Sequence, residues 1–77
     1  MIQEITKKYA LMKHKTAILI VIADRTGTSF AQVRQRWFNS KKGYPIPEDH
    51  YISILEIINR QLMFEVVERK HYESFEE

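Results

Sequence analysis

The stretch that decides the fold is ADRTGTSFAQV, residues 23–33. Ala23, Gly27 and Val33 stand at the spacing A-x3-G-x5-V, with Ile22 just before the alanine. Where two short helices cross at a sharp bend, the first position must be small. The second must tolerate positive φ, and the third anchors the second helix to the core. Ala23, Gly27 and Val33 meet these demands in turn. Ser29 is a natural N-cap for the helix that follows, because its hydroxyl can accept from a free backbone N–H.

Upstream, residues 17–23 read AILIVIA. The β-branched content would suit a strand, and a buried helix reads the same way over so short a run. No hairpin partner lies nearby, and Gly27 is placed to end a helix in the left-handed region, so the run is assigned to a helix ending at Thr26. Thr16 is its expected cap. An earlier helix over about residues 2–13 carries Ile5, Tyr9 and Met12 at i, i+4, i+7. Downstream, Phe30, Val33 and Trp37 predict a helix over about residues 30–41, stopped by Gly43 with Lys41 and Lys42 in its last turn. Tyr44-Pro45-Ile46-Pro47 is an extended connector. Pro47 suits the first position of a further helix, whose positive end is favoured by Glu48 and Asp49. That helix carries Tyr51, Ile54, Leu55, Ile58 and Leu62. Residues 62–67 (LMFEVV) either prolong it or form a strand.

The expected fold is therefore all-α: a small four- to five-helix domain with a helix-turn-helix over about residues 17–41, and a C-terminal extension that is helical or strand. The 77 residues allow a single domain, 1–77. Zero cysteine excludes a disulfide scaffold and a thiol nucleophile. His14, His50 and His71 lack metal-ligand spacing, and no phosphate-loop, serine-hydrolase or zinc-protease motif occurs. No enzyme activity, cofactor, metal or small-molecule substrate is expected. No apolar run approaches the roughly 20 residues that span a bilayer, and residues 1–8 lack a secretory pattern. The expected location is the cytoplasm, in association with the nucleoid.

Charge is polarised along the chain. Residues 1–47 hold nine Lys/Arg against two acids, +7, and residues 48–77 hold three against eight, −5. A basic half with an acidic tail suggests a polyanion-facing surface backed by something else.

Taken together, Ile22-Ala23, Gly27, the Ser29 cap, Val33, Trp37, Lys41-Lys42-Gly43 and Ile46-Pro47-Glu48-Asp49 resemble the lambda-repressor-like helix-turn-helix family, in particular small phage and prophage regulators of the Cro type. The likeness covers about half the chain, residues 19–58. It implies sequence-specific binding to the major groove of double-stranded DNA, as a transcriptional regulator of repressor type, usually as a homodimer. The chain departs from the family pattern in having Thr28 after the glycine. Arg36 stands three places beyond Val33, where an apolar residue is usual, with Trp37 one place later. A slighter likeness, in Gln32-Val33-Arg34 and Trp37-Phe38, is to the third helix of a homeodomain; there too the tryptophan comes one residue late.

At about 100° per residue, with Val33 at zero, Gln35, Asn39 and Gln32 fall near 200°, 240° and 260°, opposite the buried side, and Arg36 flanks them. Gln and Asn can read adenine edges and Arg can read guanine, so Gln32, Gln35, Arg36 and Asn39 are the expected base readers. Ser29, Arg34, Lys41, Lys42, Lys13 and Lys15 are the expected phosphate contacts. The plain alternative is a set of solvated polar residues. Tyr44, at the loop apex, is open to packing or to a phosphate contact.

Beyond residue 57 the apolar positions do not all fit one stripe. Ile52, Ile57, Phe64 and Val67 stand outside the set Tyr51, Ile54, Ile58 and Leu62. Self-association through about residues 57–72 is expected, with completion of the chain's own core as the alternative. The other function open to such a scaffold is a protein-interaction module, an antirepressor or inhibitor.

Overall fold

The computed structural model describes the backbone of residues 1–76 and the side chains of residues 1–65. It holds four helices and, among the described residues, no strand. Helix α1 is Ile2–Ala10 and α2 is Lys15–Thr26. Helix α3 starts as Phe30–Gln32 and runs on without a break into a π-helical stretch, Val33–Trp37. Two single 3-10 turns follow, Ser40–Lys42 and Glu48–His50, and the second leads into α4, Tyr51–Glu76.

Helix α1 stops three residues earlier than its apolar spacing predicts. Leu11 and Met12 donate to the carbonyls of Lys8 and Tyr9, both at 3.1 Å, which tightens the last turn. Met12 still reaches the core from outside the helix and is 2% exposed. The start of α2 also differs from expectation. Its N-cap is His14, with no side-chain cap, and Thr16 lies inside the helix. The acceptor comes instead from 51 residues away: the Glu65 carboxylate on α4 faces the backbone N–H groups of Lys13 and His14 at 3.4 and 3.5 Å. Glu65 is the buried charged residue among those described, and these N–H groups give it a reason to be there.

The ambiguous run 17–23 is helical. Ile18, Leu19, Ile22 and Ala23 recur with helical spacing and are buried, whereas Ile20 and Val21 face outward. Packing thus overrides their strand preference. Ile5, Ile22, Val33, Ile54 and Ile58 are the largest fully buried side chains among the described residues, each stabilising the fold by about 1.5–3 kcal/mol. They bring α1 and α2 onto the inner face of α4, with α3 packed against α2. Pro47 does not occupy the first helical position expected of it. It is extended (φ −60°, ψ 135°) and precedes the Glu48–His50 turn, where its carbonyl accepts from His50 N–H at 3.1 Å. Residues 62–67 continue α4, which settles the C-terminal extension as helical.

Candidate nucleic-acid interface

The bend between α2 and α3 is built as its sequence requires. Gly27 sits at φ 68°. Thr28 donates to Ala23 O at 3.0 Å and Gly27 to Asp24 O at 3.4 Å, the paired closure that a left-handed glycine permits at a helix end. A Cβ at Gly27 would meet nothing within 4 Å, so backbone conformation, not space, selects glycine here. Ser29 caps α3 by accepting from Gln32 N–H at 3.2 Å. Ile22, Ala23, Val33 and Trp37 are all buried, as the motif demands.

Beyond Gln32 the regular wheel fails, and the cause is visible in the backbone. Phe38 N–H donates to Val33 O at 3.0 Å, a five-residue closure. This wider turn accommodates an extra residue. It lets Trp37 (4% exposed) and Phe38 (8%) both turn inward, which explains the late tryptophan. Trp37 then stacks on His50, ring centroids 5.3 Å apart, and ties the end of α3 to the entry of α4.

The π-helical stretch ends at Trp37, so Asn39 is not on the helix and its predicted place at 240° does not apply. Its amide donates to Gln35 O at 3.0 Å and its carbonyl accepts from Lys41 N–H at 3.1 Å. Asn39 brackets the helix end, with its side-chain amide engaged on both sides of it.

Gln32, Gln35 and Arg36, together with Ser29 and Ala31, line one open depression on the outer surface of α3. Three of the four expected base readers are therefore neighbours. Arg34 is exposed but is not part of that depression. Lys41 and Lys42 are exposed on the 3-10 turn that Gly43 closes at φ 75°. Residues 29–42 contain four cations and no acid. Among the described residues the single ion pair is Lys8–Glu4 at 3.5 Å, so none of these four is paired with a described carboxylate.

Lys13 and Lys15 stand at the corner between α1 and α2. The Lys15 ammonium donates to Met12 O at 3.0 Å and lies 5.9 Å from the Tyr9 ring centroid. Tyr9 packs on Phe38 with centroids 4.5 Å apart, and Phe38 meets Tyr44 edge-on at 6.4 Å. This aromatic cluster joins the Lys13–Lys15 corner to the loop that carries Lys41 and Lys42. Tyr44, at φ 55°, is thus a packing residue. Burial, and then the neighbouring Tyr44 hydroxyl, push the Tyr9 phenol above its ordinary value. Phe38, Glu65 and the Lys8–Asn59 hydrogen bond (2.6 Å) were not legible in the sequence pattern. Each depends on a long-range neighbour or on the irregular turn.

Among the described residues no group of three His, Cys, Asp or Glu is placed to hold a metal ion. No described helix is long and apolar enough to cross a membrane. The chain matches no protein-family model, no curated protein and no solved structure.

Proposed function

We propose that the chain is a sequence-specific double-stranded DNA-binding regulator of repressor type, of the kind found in phage and mobile elements. The observation that carries this reading is the outer surface of α3: Ser29, Gln32, Gln35 and Arg36 share one open depression at a capped helix start, in a segment with cations and no acid. Gln32, Gln35 and Arg36 reach base edges in the major groove, where Gln bonds adenine and Arg bonds guanine. Ser29 and the first N–H groups of α3 meet a phosphate. Arg34, Lys41, Lys42, Lys13 and Lys15 neutralise the backbone on either side. Self-association would present two such helices to a palindromic site one helical turn apart.

Selection from a pool of random duplexes tests this. The expected product is an enriched two-fold-related site, and Gln35→Ala or Arg36→Ala weakens it more than random duplex. A pool that never enriches, or equal losses on both duplexes, contradicts the assigned reading face. A second reading, a protein-interaction module on the same scaffold, is favoured by the apolar side chains that α4 leaves exposed, Ile52, Met63 and Phe64. Absence of duplex binding at low salt would turn the assignment to it.

A further inference from the structure

Four residues on the outer side of α4 follow one another at intervals of four: Ile52, Glu56, Arg60 and Phe64. All four are exposed, Ile52 and Phe64 at 65% each, with Met63 beside them at 70%. The inner side of the same helix, through Ile54 and Ile58, is already buried in the core. The outer residues form an i, i+4 ridge that faces away from this chain's own core.

The order of side chains along that ridge is self-complementary. Ile52 and Phe64 lie equally far from residue 58, on opposite sides, as do Glu56 and Arg60, and Ser53 and Met63. When two such helices run antiparallel about a two-fold axis at the level of residue 58, Ile52 meets Phe64 of the partner copy, and Glu56 meets its Arg60. A parallel pairing in register would set Glu56 on Glu56 and Arg60 on Arg60. Glu56 and Arg60 also have the spacing and direction that favour pairing within one helix, yet they form no ion pair with each other. On its flank the ridge opens into a cleft of about 230 Å³ between α2 and α4, with Ile18, Val21 and Ile57 among its walls. Apolar surface therefore continues from the ridge onto α2.

We infer that this ridge is the seam of a homodimer, two copies of α4 crossing antiparallel with the two-fold axis at residue 58. It makes the proposed self-association specific, and moves it from residues 57–72 toward residues 52–64. The side chains of residues 66–72 lie outside the described residues. The Glu56–Arg60 contacts, two per dimer by symmetry, fix orientation and register more than they add affinity.

Sedimentation of the full chain over a concentration series, without nucleic acid, tests the seam apart from DNA binding; its failure leaves the duplex experiments untouched. The wild-type chain is expected to dimerise below high-micromolar concentration. Glu56→Arg and Arg60→Glu each bring like charges together at both symmetry-related contacts, and each should weaken the dimer about tenfold or more. An equimolar mixture of the two variants should dimerise again, as should the chain carrying both changes. Both positions are exposed, and circular dichroism checks that the variants fold. A wild-type monomer throughout the series overturns the inference. So do single variants that associate like wild type, or a mixture of the two that stays monomeric.

Discussion

Phe38 N–H closes onto the carbonyl of Val33, five residues back, at 3.0 Å. Through this one hydrogen bond α3 holds a residue more than a regular helical turn would between Val33 and Phe38. Val33, Trp37 and Phe38 remain in the core, and the extra residue is taken up on the outer side, where Gln35 and Arg36 lie.

Removal of that residue follows as a test. Deleting Gln35 lets the turn relax to α-helical geometry with the tryptophan and phenylalanine still inward. Thermal melts should then stay within about 5 °C of wild type, a change of about 1 kcal/mol at most for a domain of this size. A much larger drop would mean that the wide turn is needed by the core, not by the outer surface.

Gly27 has open space around it but a left-handed backbone (φ 68°). Gly27→Ala should cost about 1–2 kcal/mol in urea unfolding, the penalty of that conformation for an L-residue. An unchanged midpoint would contradict the assigned strain.

Glu65 supplies from α4 what the His14 end of α2 lacks locally. Glu65→Ala should lose about 1–2 kcal/mol, the range of a lost helix cap, and Glu65→Gln, which keeps a carbonyl acceptor, should lose less. Chemical denaturation of the three chains measures this; equal losses in the two variants would count against an acceptor role.

Tyr9 gives a dependence on alkaline pH. Burial, and then Tyr44, raise its folded-state value above 10.0. The unfolded chain therefore releases the phenol proton first, and stability falls as pH rises from about 10 through the folded-state value. Tyr9→Phe should flatten that part of the profile. A variant whose stability falls as steeply as wild type above pH 10 would remove Tyr9 as the cause.

The all-helical fold and the bend were legible because they rest on local chemistry. Gly27 admits one backbone region readily, Ser29 caps through its own hydroxyl, and Ala23 and Val33 sit at fixed offsets from the turn. The outer surface of α3 was legible only as far as the helix stayed regular. Gln32 and Gln35 keep their outward places, whereas Asn39 was projected along a helix that ends two residues before it. The cap of α2 was hidden for another reason: Thr16 is an attractive local cap, and the true acceptor, Glu65, is distant in sequence. Association was read from apolar residues that fitted no single stripe. Ile57 and Leu62 pack against this chain's own core, and Ile52, Met63 and Phe64 are the ones left outside.

The proposed function rests on the cations around α3 meeting a DNA backbone. Fluorescence anisotropy with a labelled random duplex tests it most directly, read across about 50–200 mM salt. Binding is expected at the low end and should fall linearly on a log–log plot, with Lys41→Ala and Lys42→Ala each reducing the slope by about one. No binding at 50 mM salt, or an affinity indifferent to salt and to both lysines, would contradict it.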